Sequence, residues 1–160
     1  PHSPEAETSV LGALMLDTTV WEHVGDVLAA ADFYRHEHRL IFEAITSLMA
    51  KNSGVDVITV FEHLKRQGKH EQVGGLPYLN ALAQFVPSVN NIRHWAEMVR
   101  EDSILRSLVR VGDGISASAF NRGGRDVRDL RDEAEKNLFA IAESDARQRP
   151  GFVRIDASAM

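Results

Sequence analysis

The sequence predicts an all-α protein: a compact multi-helix head followed by a long antiparallel helical hairpin. Three observations carry that prediction. Apolar residues recur three and four apart along most of the chain, the spacing of one helix face. Only one short stretch, VDVITV at 55–60, alternates as a strand would. From about residue 90 two longer helical patterns follow each other, split by Asn121-Arg122-Gly123-Gly124. The chain divides accordingly into a head (1–88), a hairpin (90–145) and a tail (146–160) that reads as a linker.

Ser3 followed by Pro4 marks the first helix start, because the hydroxyl caps free N–H groups and Pro fits the first turn. Glu5 and Glu7 then sit near the positive end of the helix dipole, and the run continues to about Leu16. Asp17, Thr18 and Thr19 offer a second cap, with Val20, Trp21, Val24, Val27 and Leu28 following at helical spacing. A third helix is expected over about 35–50, with Leu40, Ile41, Ala44, Ile45 and Leu48 facing inward, until Asn52 to Gly54 break it. In VDVITVFEHLKRQG, Val57, Phe61 and Leu64 fall at helical spacing and Gly68 is a plausible stop, so a short helix with an extended lead-in is expected. GGLPYLNALAQFVP predicts another short helix ended by Pro87. The hairpin helices then cover about 90–119 and 126–145, and Gly123 and Gly124 supply the positive φ angles of the reversal.

Composition bounds the function. The chain has 160 residues, 44% apolar and 26% charged, as in an ordinary globular protein. It has no cysteine, hence no disulfide framework and no thiolate metal site, which fits a reducing compartment. No apolar run approaches the roughly 20 residues of a membrane helix. PHSPEAE lacks the basic and apolar regions of a signal peptide, and without an initiator Met the chain is expected to be processed or a fragment. A net charge of −5 argues against a nucleic-acid grip. Arg122, Arg125, Arg128 and Arg131 form the strongest basic cluster, but Asp126, Asp129, Asp132 and Glu133 interleave with them, as on a solvated helix face.

Catalytic chemistry finds little support. His36, Glu37 and His38 invite a metal reading, but on a helix the two histidines lie about 200° apart and cannot converge on one ion. They are expected at the water side of the third helix or at a contact edge. There is no G-x-S-x-G and no P-loop, and the small residues of VGDGISASA (111–119) are expected to permit close helix packing. Two rival readings stay open: a small metal-dependent hydrolase using His36, Glu37 or His38, and a stand-alone DNA-binding helical module.

The hairpin is the informative part. Ile104, Leu108, Val111 and Ile115 form one apolar stripe; Leu105, Val109, Gly112, Ser116 and Ala119 form the next. One antiparallel partner covers one stripe, leaving the other for a second copy or another protein, unless the head folds back over it. Self-association is therefore expected through Ile104, Leu105, Leu108, Val109, Val111 and Ile115.

Five segments in order carry a resemblance: PHSPEAETSVLGALMLD, DFYRHEHRLIFEAI, VDVITVFEHLKRQG, VGGLPYLNALAQFVPSVNNI and AEMVREDSILRSLV, with DEAEKNLFAIAE as the hairpin's second helix. Over about residues 1–145 the chain resembles the N-terminal domain of DnaB-type bacterial replicative DNA helicases. GFVRI resembles the entry to that family's linker, which leads to a RecA-like motor domain. The resemblance implies that hairpins pair into dimers and that three dimers form a collar on a hexameric ring in the bacterial cytoplasm. It implies ATP and magnesium for the full helicase, which unwinds duplex DNA, and DNA contact through the motor. It also implies docking of the primase C-terminal domain on the hairpin and nearby head. No Walker A motif follows, so no ATPase residue is carried over, and neither cofactor nor metal is expected in this chain. Aromatic and apolar anchors dominate interfaces, which makes Trp95, Phe120, Val127 and Leu130 the expected primase contacts, with hairpin core as the alternative for Trp95.

Overall fold

The computed structural model describes residues 1–148; residues 149–160, which carry most of the expected linker, lie outside the described residues. Six α-helices follow in order: α1 (Pro4–Leu16), α2 (His36–Ala50), α3 (Val57–Arg66), α4 (Gly75–Gln84), α5 (Ile92–Phe120) and α6 (Val127–Gln148). Short 3₁₀ turns cover Thr18–His23, Ala30–Asp32 and Val89–Asn91, and no strand occurs among the described residues. Packing divides the chain into two units, residues 2–102 and residues from 103 onward, with Pro1 grouped in the second.

The first unit holds the core. Phe33, Phe42, Leu11, Leu14, Ile41 and Ile45 are among its fully buried side chains, joined by Ile92, Ala96 and Val99 from the first turns of α5. Gly12 lets α1 press directly on α4: a Cβ there would collide with the Leu82 carbonyl oxygen and lie 2.7 Å from a Val86 methyl. Asp56 and Thr59 start α3 with a reciprocal cap, the carboxylate accepting the Thr59 N–H at 2.8 Å and the Thr59 hydroxyl accepting the Asp56 N–H at 2.9 Å. Gly68, at φ +68°, ends it as expected.

Two local expectations are corrected. The Ser3 hydroxyl makes no cap hydrogen bond, although Pro4 does open α1. Residues 17–28 do not form an α-helix. Asp17 caps through Thr19, at 3.0 Å to its N–H and 2.7 Å to its hydroxyl, but the turn that follows is 3₁₀ and ends at His23. Thr18, Thr19 and Val20 are β-branched and crowd an α turn, and the Trp21 ring folds onto Gly25, leaving no room for a Cβ there. Val20, Val24, Val27 and Leu28 are nonetheless buried.

The second unit is the hairpin formed by the rest of α5 and α6. Gly123 (φ +60°) and Gly124 (φ +81°) turn the chain between them. Among its described residues no side chain is fully buried.

Candidate assembly interface

On the hairpin, Ile104 and Val111 of α5 and Leu130, Ala134 and Ile141 of α6 are half-buried. Gly114, Ala119, Val127, Leu130 and Ala134 line a groove of about 450 Å³ at the turn end. A second groove of about 480 Å³ lies farther along, between Ser107, Val111, Asn137 and Ile141. The remaining apolar side chains are out in solvent: Leu105 is 46% exposed, Leu108 44% and Val109 51%. Leu138 and Phe139 of α6 are exposed as well, Phe139 to 65%. Each helix thus carries more apolar surface than the other covers. The two stripes read from α5 separate only partly, because Leu108 and Ile115 of the first are exposed beside Leu105 and Val109 of the second.

Sequence reasoning passed over Leu138 and Phe139, although they are adjacent large apolar residues in a helix whose neighbours are mostly charged. It also expected close packing at the small residues of 111–119. Within the chain, a Cβ on Gly112 or Gly114 would meet nothing within 4 Å. Those glycines face open space.

The four expected partner anchors fall in different units. Phe120 is 92% exposed, Val127 is exposed, and Leu130 is half-buried in the groove at the turn. Trp95 lies in the first unit, half-buried against its core, with its ring 5.5 Å from that of His94 and its indole nitrogen buried without a hydrogen-bond partner.

The histidine question resolves differently from the sequence expectation. His36 is exposed, but His38 is fully buried, not at the water side. His38 shares a helix face with Ile41 and Ile45, three and seven residues on, and that spacing was the available signal. Its Nδ1 lies 2.7 Å from Glu7 Oε1 and its Nε2 2.6 Å from the Tyr78 hydroxyl. With Glu7 ionised, Nδ1–H donates to the carboxylate, and Nε2 is paired with the Tyr78 hydroxyl. Both nitrogens are then occupied, so this imidazole offers a metal nothing. Glu7 also accepts the Tyr34 N–H at 2.7 Å, in the approach to α2, where Arg35 supplies no side-chain cap of its own. Burial pushes the Glu7 carboxyl up, but the hydrogen bonds from His38 and Tyr34 outweigh it and hold the carboxyl below its ordinary 4.5. Burial raises the Tyr78 hydroxyl, so it stays protonated. A second buried link joins Asp32 to Arg100 at 2.7 Å, with the Ala29 N–H on the other Asp32 oxygen at 2.8 Å. Among the described residues no group of three His, Asp or Glu is placed to hold a metal ion, and no helix is long and apolar enough to cross a membrane.

Comparison with known proteins agrees with this architecture. The family model described as the DnaB-like helicase N terminal domain matches residues 1–101, stopping beside the packing boundary after residue 102. The replicative DNA helicase DnaB of Haemophilus influenzae is 42% identical over 143 residues, which are 89% of this chain and 31% of the relative. That of Pasteurella multocida is 39% identical over 94% of this chain and 32% of its own length. The chain therefore spans about a third of the curated relatives it matches. Among solved structures, the N-terminal domain of DnaB helicase from Mycobacterium tuberculosis superposes with a TM-score of 0.84 at 33% identity, covering 88% of this chain and 98% of that one. A DnaB-like replicative helicase, whose structure was described with its interactions with primase, shares the fold at a TM-score of 0.68 and 23% identity, over 87% of this chain and 31% of that one. The family match, the relatives and the all-α architecture agree, and the chain belongs to the DnaB-like helicase N-terminal domain family.

Proposed function

We propose that this chain is the assembly and partner-docking domain of a hexameric replicative DNA helicase and does no chemistry itself. The observation that carries the reading is the band of exposed apolar residues on both hairpin helices, Leu105, Leu108 and Val109 with Leu138 and Phe139. A monomer gains nothing from showing such a band to water, and a second hairpin laid against it buries both copies. In this reading Ile104, Val111 and Ile115 support the same contact, hairpins pair, and three pairs build a collar. The linker begins near residue 146 and leads to the motor, which binds ATP and magnesium and engages DNA in the bacterial cytoplasm. The head is residues 1–88 and the hairpin 90–145. Primase docks through its C-terminal domain onto Phe120, Val127 and Leu130 at the turn, with Trp95 as a further contact.

Leu108→Asp tests the assembly. It places a charge where pairing would bury it, at a cost that an apolar contact does not recover. Sedimentation across protein concentration should show smaller species with helicity kept; unchanged mass with intact helicity would put the interface elsewhere. Titration of the primase C-terminal domain against wild type, Trp95→Ala and Leu130→Ala tests the docking. A good anchor is worth about 2 kcal/mol or more, and unchanged affinity in both folded variants rejects these residues.

A further inference from the structure

The first unit carries a cluster of positive charge that neither the core nor the proposed assembly uses. Lys51 follows the last residue of α2, Lys65 and Arg66 form the last turn of α3, and Lys69 comes directly after its glycine stop. The turn folds back on the helix, with the Lys69 N–H on the Leu64 carbonyl at 2.9 Å and the Gly68 N–H on that of Lys65 at 3.0 Å. Lys51, Lys65 and Arg66 are exposed and Lys69 is half-exposed. Among the described residues none of the four has a carboxylate within ion-pair distance, whereas Arg35, Arg93, Arg100 and Arg125 all do. The acids of the same stretch do not neutralise them: Asp56 is engaged in capping α3, and Glu62 forms no ion pair with Arg66 one turn on. Helices α2 and α3 pack together, and the buried ring of His63 registers the cations around it. Burial lowers its pKa, and the charges of Lys51, Arg66 and Lys69 lower it further.

Cations at a helix C-terminus complement its dipole, which accounts for Lys65 and Arg66. The dipole of α2 likewise favours Lys51 at its C-cap, but neither dipole accounts for gathering four cations in one place without a neutralising acid, and such a concentration repels itself even in a chain of net charge −5. We propose that Lys51, Lys65, Arg66 and Lys69 form a binding patch for the phosphate backbone of single-stranded nucleic acid. Phe61 and His70 favour this partner over an acidic peptide. Their rings meet edge to face at 5.9 Å and both are half-buried, so part of each lies at the surface beside the cations, where an unpaired base can stack. The patch does not depend on the assembly role proposed above.

The test is fluorescence anisotropy with a labelled oligothymidylate of about 16 nucleotides. Binding should weaken with salt along a log–log slope of up to about −3, roughly 0.7 for each of the phosphates the four cations neutralise. Lys65→Glu with Arg66→Glu should cut affinity about tenfold or more and flatten the slope by about 1.4. Both positions are exposed, so circular dichroism should match wild type. Reversing Arg128 and Arg131 on the hairpin should leave binding unchanged. No binding at low salt, or binding that ignores the Lys65 and Arg66 reversals, overturns the proposal. So does a polyglutamate peptide that competes as well as the oligonucleotide, because the patch would then serve an acidic protein.

Discussion

The head and the hairpin are both helical, yet they are stabilised by different means. Head helices are short, none longer than the 15 residues of α2, and each is held by side chains that touch no solvent. Hairpin helices are long, α6 alone running 22 residues, and from residue 103 onward no described side chain is fully buried. A short isolated helix is marginal in water, so the head owes its helices to the core. The hairpin has helix length and good local formers but little core, and what it lacks is cover. Specificity in the head is therefore internal, whereas in the hairpin it waits for another surface.

Two phenylalanines, one in each region, should differ most in what their loss costs. Phe42→Ala removes a ring at 1% exposure packed on Phe33 at 4.9 Å, and should cost about 3–5 kcal/mol of stability. Phe139→Ala should stay within about 0.5 kcal/mol in a dilute monomer, as an exposed substitution does. Denaturant unfolding checks both. A hairpin loss comparable to the core loss would mean that α6 has intrachain cover the structure lacks.

Next in size is the ion pair that anchors the root of α5. Asp32→Ala leaves the Arg100 guanidinium buried without its carboxylate and should cost about 3 kcal/mol. An exposed pair such as Arg125 with Glu133, on the hairpin, should lose well under 1 kcal/mol on the same truncation. Equal losses by thermal unfolding would remove the distinction between a buried link and a surface one.

These links mark where the sequence stops being legible. Helix positions follow from spacing within ten residues or so, and α2 through α6 lie close to where that spacing puts them. Asp32 and Arg100, or Glu7 and His38, are 68 and 31 residues apart, and no local pattern pairs them. Their pairing is a product of the packed core. Residues 17–28 show the opposite failure: burial followed the helical spacing, while β-branched residues and the Trp21–Gly25 contact chose a different backbone. On the hairpin, spacing marks the apolar stripes of α5 but carries no information about what covers them, since that depends on a surface outside the chain.

A smaller effect comes from Glu7. Folding lowers its carboxyl, so its contribution is complete above about 4.5 and disappears as pH falls through the lower folded value. Glu7→Gln keeps an acceptor for the Tyr34 N–H but loses the charge facing His38, and should cost about 2 kcal/mol at neutral pH. The wild-type and variant melting curves should then converge as the pH drops below 4.5. A gap that persists in acid would show that the carboxylate charge is not the stabilising feature.

Glycines give the cleanest contrast, because the sign itself should differ, and the hairpin glycines give the smallest effect. Gly12→Ala drives a methyl group into the Leu82 carbonyl, and backbone cannot swing aside as a flexible side chain would, so the head should lose stability. Gly112→Ala and Gly114→Ala add a methyl group to open space on α5, where alanine is the better helix former by about 1 kcal/mol per site. The hairpin should melt higher, read by circular dichroism at a concentration too low for assembly. The same two variants then probe two sides of α5 about 200° apart, Gly114 on the groove side and Gly112 away from it. If a second copy brings its backbone against either glycine, the methyl group there will lower the assembled mass while raising helix stability. If pairing runs through Leu105, Leu108 and Val109 without close approach at the glycines, mass and stability will both hold or rise. Destabilised monomers would mean that α5 is held close to other backbone in solution at those positions, contrary to the space around them here.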